Sequence, residues 1–330
     1  MKTRTLGRTG LQVSEIGLGG LFVSRVGATA EEGIRAVRKA LELGITYVDT
    51  APGYADSEEV LGRALKGVKT PLVLSTKLGG RPQPFLPRDR DCLMRSVEES
   101  LRLLGREVID ILMVHEPDRP GQYDWWTDWD EPSGPVLDLL EDLKRRRLIR
   151  FTGLGGTTAY ELPRLMRTGR FDVVLTAFNY SLLWREAERE VLPAAVERDM
   201  GIIIGSPLQQ GALARRYDDE IRGGAKWLSS PRRAQYLALY RLLDELSMSL
   251  PELALRFVLS NPQVSTVLTG ARSAAEVEVN VAAVAKGPLP RELLARLDAI
   301  AAMVPFRPFE EPFGLPFGRG ESYRGPGTAR

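Results

Sequence analysis

An aspartate, a tyrosine, a lysine and the only histidine of the chain form a set that can move a proton to and from an oxygen. They are Asp49, Tyr54, Lys77 and His115. Asp49 follows the β-branched and aromatic run Ile45-Thr46-Tyr47-Val48. Lys77 ends Pro71-Leu72-Val73-Leu74-Ser75-Thr76, and His115 ends Ile109-Asp110-Ile111-Leu112-Met113-Val114. Three successive strand-like runs therefore end in ionisable groups, and Tyr54 lies in the loop after the first. A phenol with a pKa of about 10 is a poor acid or base at neutral pH. A neighbouring ammonium favours its ionised form, and a carboxylate holds that ammonium charged and in place. An imidazole can donate to a carbonyl oxygen and aim it. Such a set suits protonation of an oxygen that is gaining negative charge, or the reverse. One histidine and one cysteine cannot build a metal cluster, and no Ser-His-acid spacing is evident. The natural hard step for such a set is hydride transfer, for which a protein needs a cofactor.

The elements that must position these groups are short apolar runs alternating with longer helical patterns. Besides the three above, strands are expected at Ile16-Gly17-Leu18, Ile149-Arg150-Phe151-Thr152, Asp172-Val173-Val174-Leu175-Thr176, Gly201-Ile202-Ile203-Ile204 and Val264-Ser265-Thr266-Val267-Leu268. Ile34, Val37, Ala40 and Leu41 mark one helix; Val97, Leu101 and Leu104 mark another, with Gly105 as its stop. Ser57 or Asp56 is expected to cap a helix opening at Glu58. Eight strand–helix units predict an α/β fold of the (β/α)8 TIM-barrel type, whose active sites sit at the C-terminal ends of the strands. A doubly wound sheet is the weaker reading, because Gly17-Leu18-Gly19-Gly20 is not continued as a G-x-G-x-x-G turn. Residues 3–14 suit a small N-terminal hairpin turning at Arg8-Thr9-Gly10 and closing the barrel bottom. Residues 304–330, rich in Pro, Gly and Phe, suit an extended C-terminal segment near the site mouth. The whole chain, 1–330, reads as one barrel domain.

Composition narrows the function classes. Forty-five basic against 43 acidic residues leave a net charge of +2, and the arginines are scattered among acids, so nucleic acid is not an expected partner. No run approaches a membrane span and no secretory signal is visible, so no membrane role and a cytoplasmic setting are expected. Cys92 has no second cysteine to pair with and reads as a small buried apolar residue.

Five stretches together resemble the aldo-keto reductase family from end to end: VDTAPGYADSEEVLGRAL, STK, RSVEESLRLLGREVIDILMVHEPD, SPLQQGAL and TGARSAAEVEVNVAA. The resemblance implies a (β/α)8 barrel and a nicotinamide-dependent oxidoreductase. It places the family's catalytic Asp, Tyr, Lys and His on Asp49, Tyr54, Lys77 and His115. Tyr54 would be the general acid or base, its pKa lowered by Lys77, and His115 would orient the carbonyl. The implied cofactor contacts are Ser206, Pro207, Leu208, Gln210 and Gly211 along the pyrophosphate. Gly270, Arg272, Ser273, Glu276 and Asn280 would lie around the adenosine, and Tyr180 would stack on the nicotinamide. Gly19 and Gly20 complete the set with Gly155 and Gly156, which stand where the family commonly has Ser-Asn gripping the carboxamide. That grip would then fall to backbone, to Thr157 or to a neighbour. The pattern looks closer to the aldose and galactose dehydrogenase branch. Glu276 argues for NAD(H) and Arg272 for phosphate; with family usage, NADP(H) is favoured slightly over NAD(H).

The loop after His115 carries Tyr123, Trp125, Trp126 and Trp129 among acids. Trp125, Trp126 and Trp129, with Phe22 and Trp184, are expected as substrate-pocket walls for a small carbonyl compound or a sugar. The activity expected is hydride transfer to or from an aldehyde, ketone or aldose. The alternatives are a cofactor-sensing regulatory subunit with little turnover, and lyase or isomerase chemistry on the same barrel. Nothing in the sequence sets the oligomeric state.

Overall fold

The computed structural model describes residues 1–223 and 228–307. Among these, the strands β3 (Ile16–Gly19), β4 (Tyr47–Asp49), β5 (Val73–Leu78), β6 (Ile109–His115), β7 (Ile149–Gly156), β8 (Val173–Ala177), β9 (Gly201–Gly205) and β10 (Thr266–Gly270) close into a parallel barrel. Every neighbour pair is parallel, and β10 returns to β3 with Leu268 opposite Gly17. The eight predicted strands and the TIM-barrel class are all present. β1 (Thr3–Thr5) and β2 (Gln12–Ser14) form the predicted antiparallel hairpin, turning through Gly7–Thr9 and Gly10.

Around the barrel run α1 (Ala30–Glu42), α2 (Ser57–Leu65), α3 (Arg90–Leu104), α4 (Pro135–Arg145), α5 (Leu162–Arg167), α6 (Val191–Glu197), α7 (Asp218–Gly223), α8 (Ser230–Asp244), α9 (Leu250–Leu259), α10 (Ala274–Ala285) and α11 (Arg291–Ala302). Local chemistry sets many of their ends. Thr29 and Glu32 make a reciprocal capping box on α1, Asp89 accepts from Cys92 N at the start of α3, and Gly105 closes α3 at φ +62°. The expected side-chain cap on α2 does not form. Asp56 instead accepts from Arg25 N (2.8 Å), and Ser57 Oγ donates to Gly20 O (2.7 Å). These two contacts tie α2 to the loop after β3.

Two cores separate by strand parity. Tyr47, Val73, Ile111, Met113, Val173, Leu175, Ile203 and Leu268 fill the barrel interior, with Leu6 and Val13 of the hairpin as its floor. Val48, Leu74, Leu112, Val114, Leu154, Val174, Ile202 and Val267 point outward to the helices. Side chains alternate along a strand, so Asp49, Lys77 and His115 share the inward parity of Tyr47, Val73 and Ile111. Barrel closure therefore turns all three into the mouth. The C-terminal segment expected over that mouth lies outside the described residues from 308 onward. Of its start, Phe306 is 52% exposed and carries the Arg189 guanidinium 4.0 Å above its ring.

Candidate active site

Asp49 and Lys77 meet at the top of adjacent strands. Lys77 Nζ donates to Asp49 Oδ2 at 2.6 Å and to Thr50 O at 2.8 Å, and both charged side chains are buried. The other Asp49 oxygen accepts from Ser75 Oγ (2.7 Å), which in turn accepts from Tyr47 OH (2.9 Å). A buried ion pair needs its remaining lone pairs satisfied. The Tyr47–Ser75 chain does this, and sequence reasoning had not assigned it. Its signal was the shared inward parity of Ser75 and Lys77.

Lys77 Nζ stands 4.9 Å from the centre of the half-buried Tyr54 ring, and the Tyr54 and His115 rings meet edge-on at 5.8 Å. The structure thus brings the four predicted groups together. Burial pushes the Tyr54 phenol above its usual range; the Lys77 charge opposes this without reversing it. Lys77 thus acts on Tyr54 in the expected direction, but desolvation outweighs it and the net shift is upward, so the phenol is protonated at neutral pH. Burial alone would depress Lys77, but Asp49 and Tyr54 outweigh it, so the amine stays charged. Burial, with the Lys77 charge adding, drives His115 down to about 3, so its imidazole is neutral. His115 Nδ1 is buried and has no partner among the described residues.

The chain turns sharply after His115. Glu116 sits at φ +48°, an uncommon region for a non-glycine residue. Its Oε2 accepts from Thr157 Oγ1 at 2.7 Å. Burial, reinforced by Asp118, raises its carboxyl to about 7. Asp118 Oδ2 accepts from Thr157 N, Thr158 N and Thr158 Oγ1 and so shapes the loop after β7. A Cβ on Gly156 would stand 2.7 Å from Asp118 Oδ1, and one on Gly155 would stand 3.3 Å from Lys77 Cε. The Gly155-Gly156 departure thus has a steric cause, because the neighbouring acid and the lysine fill the space a side chain would need.

Inward positions at the other strand tops are small: Gly19, Gly155, Ala177, Gly205 and Gly270. They leave a shallow floor beside the polar tops of β4, β5 and β6. Gly20 serves a different end, since a Cβ there would meet Ser57 Oγ at 2.6 Å, and it keeps the β3 loop tight against Asp49. The loop Ser206, Pro207, Leu208, Gln210 and Gly211 follows β9 with Ser206, Gln209 and Gln210 all at positive φ. At the top of β10, Ser273 caps α10 by accepting from Glu276 N, and Arg272 donates to Glu276 from N, Nε and Nη2. Asn280 lies two turns along from Ser273 on the same helix face and is buried.

Several predicted residues are placed elsewhere. Tyr180 does not face the mouth. It is buried against Phe257 of α9 at 5.6 Å with its hydroxyl accepting from Asn261, so it cannot be the ring under a nicotinamide. The inward residue at the top of β8 is Ala177. Trp125 and Trp126 are buried in the outer core, donating to His115 O (2.9 Å) and Pro117 O (2.7 Å). They brace the loop rather than line the pocket. Trp184 is buried beneath the Arg307 guanidinium, and Trp129 stacks under Arg164 of α5. Phe22 stays half-buried beside Gly270 at the top of β10. The loop aromatic that reaches the site is Tyr123, whose ring lies 6.3 Å from His115 and would be 3.2 Å from a Cβ on Gly79.

Among the described residues no group of three or more His, Cys, Asp or Glu could hold a metal, and no helix is long and apolar enough to cross a membrane. The sequence model of the aldo/keto reductase family matches residues 15–302. L-galactose dehydrogenase of Arabidopsis thaliana is 30% identical over 91% of this chain and 94% of its own length. D-threo-aldose 1-dehydrogenase of a Pseudomonas species is 29% identical over 90% of this chain and 96% of its own. The solved holo form of an aldo-keto reductase from Bacillus halodurans superposes with a TM-score of 0.74 at 27% identity, covering 94% of this chain and 99% of that one. With the barrel, the four converging side chains (three at strand tops and Tyr54 in a loop) and these likenesses in agreement, this chain belongs to the aldo/keto reductase family of oxidoreductases.

Proposed function

We propose that the protein is an NAD(P)(H)-dependent oxidoreductase. It interconverts the carbonyl of a small aldehyde or ketone and the corresponding alcohol, or oxidises an aldose at its anomeric carbon. The observation that carries this is Tyr54 beside the buried Lys77–Asp49 pair, with neutral His115 at its edge. The small strand-top residues Gly19, Gly155, Ala177, Gly205 and Gly270 would lie beneath the nicotinamide, with the Ser206–Gly211 loop and the start of α10 following β9 and β10 beside them. Ser206, Leu208, Gln210, Gly270, Arg272, Ser273, Glu276 and Asn280 would hold the remainder of a dinucleotide. When bound, the nicotinamide supplies or accepts the hydride.

The residues do the rest. In reduction Tyr54 gives its phenolic proton to the oxygen as negative charge builds there, and the Lys77 ammonium stabilises the phenolate left behind. In oxidation the same oxygen takes the proton from the substrate hydroxyl. His115 is neutral, and an unmet N–H is dearer than an unmet lone pair, so the proton belongs on Nε2 while Nδ1 stays bare. That N–H aims the carbonyl oxygen at Tyr54. The complete proton-handling set favours turnover over cofactor sensing.

Arg272 and Glu276 govern the choice between NADP(H) and NAD(H). Glu276 neutralises Arg272, so a 2′-phosphate must displace a carboxylate to reach the guanidinium. Glu276→Gln is expected to shift the ratio of kcat/KM with NADPH over NADH upward by about tenfold, near the size of one charge-assisted hydrogen bond. The main test is a panel of aldehydes, ketones and aldoses with both cofactors in both redox states. Tyr54→Phe should lower kcat by about 10²–10⁴-fold while cofactor binding, read by tryptophan fluorescence, is unchanged. Wild-type turnover by Tyr54→Phe would overturn the assignment.

A further inference from the structure

Glu116 is a partly buried carboxyl that the proton-handling set does not use. It follows His115 directly and leaves β6 at φ +48°, a costly conformation that needs a reason. Thr157 Oγ1 donates to Oε2 at 2.7 Å, and Arg119 Nη1 is 3.7 Å from the same oxygen, too far for a hydrogen bond. Oε1 takes no hydrogen bond from the described residues and is not among the buried unpartnered atoms, so it is open to solvent. Its charge is felt at Tyr54 and at Tyr123, which lies beside His115. An acceptor whose charge reaches both rings, one residue beyond the group that would aim the carbonyl, is placed near what would be bonded to the carbonyl carbon. An alkyl group at that place would leave Oε1 dry and unmet, whereas a hydroxyl would satisfy it.

We propose that Glu116 is a specificity-determining residue that accepts a hydrogen bond from a hydroxyl on the carbon next to the reacting carbonyl, so that the site selects hydroxylated carbonyl compounds. This rests on the oxidoreductase reading above and adds the substrate class to it. Thr157 holds Glu116 in position, and Tyr123 closes the pocket on the other side of His115.

The test compares 2-hydroxypropanal with propanal, which differ by that one hydroxyl, in wild type, Glu116→Leu and Glu116→Gln. Wild type should prefer the hydroxyaldehyde in kcat/KM. Glu116→Leu should lower kcat/KM for the hydroxyaldehyde by about 10–100-fold, the range for a hydrogen bond to a charged group, with propanal changed by no more than about threefold. Glu116→Gln keeps an acceptor without the charge and should fall between. Cofactor affinity, followed by fluorescence, should not move. An equal loss on both aldehydes, an unchanged ratio, or weakened cofactor binding overturns the role of Glu116. If Glu116→Leu does not fold, the ratio in Glu116→Gln decides. A wild type inert towards both aldehydes with either cofactor overturns the oxidoreductase reading itself, which separates the two failures.

Discussion

Lys77 and Asp49 are each costly to bury and are tolerable only together. Removing the ammonium in Lys77→Met leaves the Asp49 carboxylate buried with Ser75 as its remaining side-chain donor. Stability should fall by about 3–5 kcal/mol, measured by urea denaturation, in addition to the loss of activity. Tyr54 predicts a direction for pH. Its phenol is held protonated by burial, so reduction should be flat through neutral pH. Oxidation needs the phenolate and should quicken by up to about tenfold per unit as pH rises, seen in the pH profile of kcat for each direction. Glu116 predicts a stability effect of known sign. Its carboxyl is raised from 4.5 to about 7 in the fold, chiefly by burial. The folded state therefore holds a proton that the unfolded chain has released, and stability declines as pH rises from about 4.5 to about 7. Glu116→Gln abolishes that decline. At pH 8 the variant should be more stable than wild type by at most about 3 kcal/mol, read by urea denaturation, and the gap should close below about pH 4.5.

At the scale of elements, the site depends on how closely helices approach the barrel. A Cβ on Gly62 of α2 would lie 2.0 Å from Leu103 O of α3, and one on Gly33 of α1 would lie 2.0 Å from Val23 O. α2 begins three residues after Tyr54 and carries Glu58, which accepts from Thr76 Oγ1 (2.6 Å) and pairs with Arg81. Thus α2 is pinned both to α3 and to β5, and the Tyr54 loop is held between them. Gly62→Ala should cost about 1–3 kcal/mol by overpacking. It should also lower kcat more than cofactor affinity, because the shift it forces passes into the Tyr54 loop. Denaturation and steady-state kinetics on the same preparation check both.

On the scale of the whole molecule, the two ends of the barrel do different work. Leu6 and Val13 of the hairpin plug the bottom beneath Tyr47, Val73 and Ile111. Arg8 Nη2 donates to Gly169 O and Phe171 O at that end, far along the strands from the catalytic tops. Leu6→Ala should destabilise by about 2–5 kcal/mol through the cavity it leaves. Its kcat at a temperature where it remains folded should stay within about twofold of wild type. A large kcat loss in a folded Leu6→Ala protein would mean that the plug also sets the geometry of the mouth.

By itself the sequence determined what is written in local order. Apolar runs and their polar last residues marked the strands, and Asp49, Tyr54, Lys77 and His115 were legible because each follows such a run or its loop. Strand parity, period two, was enough to aim Asp49, Lys77 and His115, while the direction of Tyr54 was set by its loop. Residues whose role depends on neighbours distant in the chain were not legible. Trp125 and Trp126 read as wall and became packing, because burial of a loop depends on what it folds against. Tyr180 read as a stacking ring and turned to α9, because the β8 end curls after Ala177, with Phe178 at φ +67°. The Gly155-Gly156 departure looked like a lost grip. Only the tertiary structure showed Asp118 and Lys77 in the space, and Glu116 beside Thr157 with one oxygen open. The net pKa of Tyr54 was likewise decided there. A neighbouring charge can be inferred from composition and pattern, but desolvation is set by everything that closes around the group.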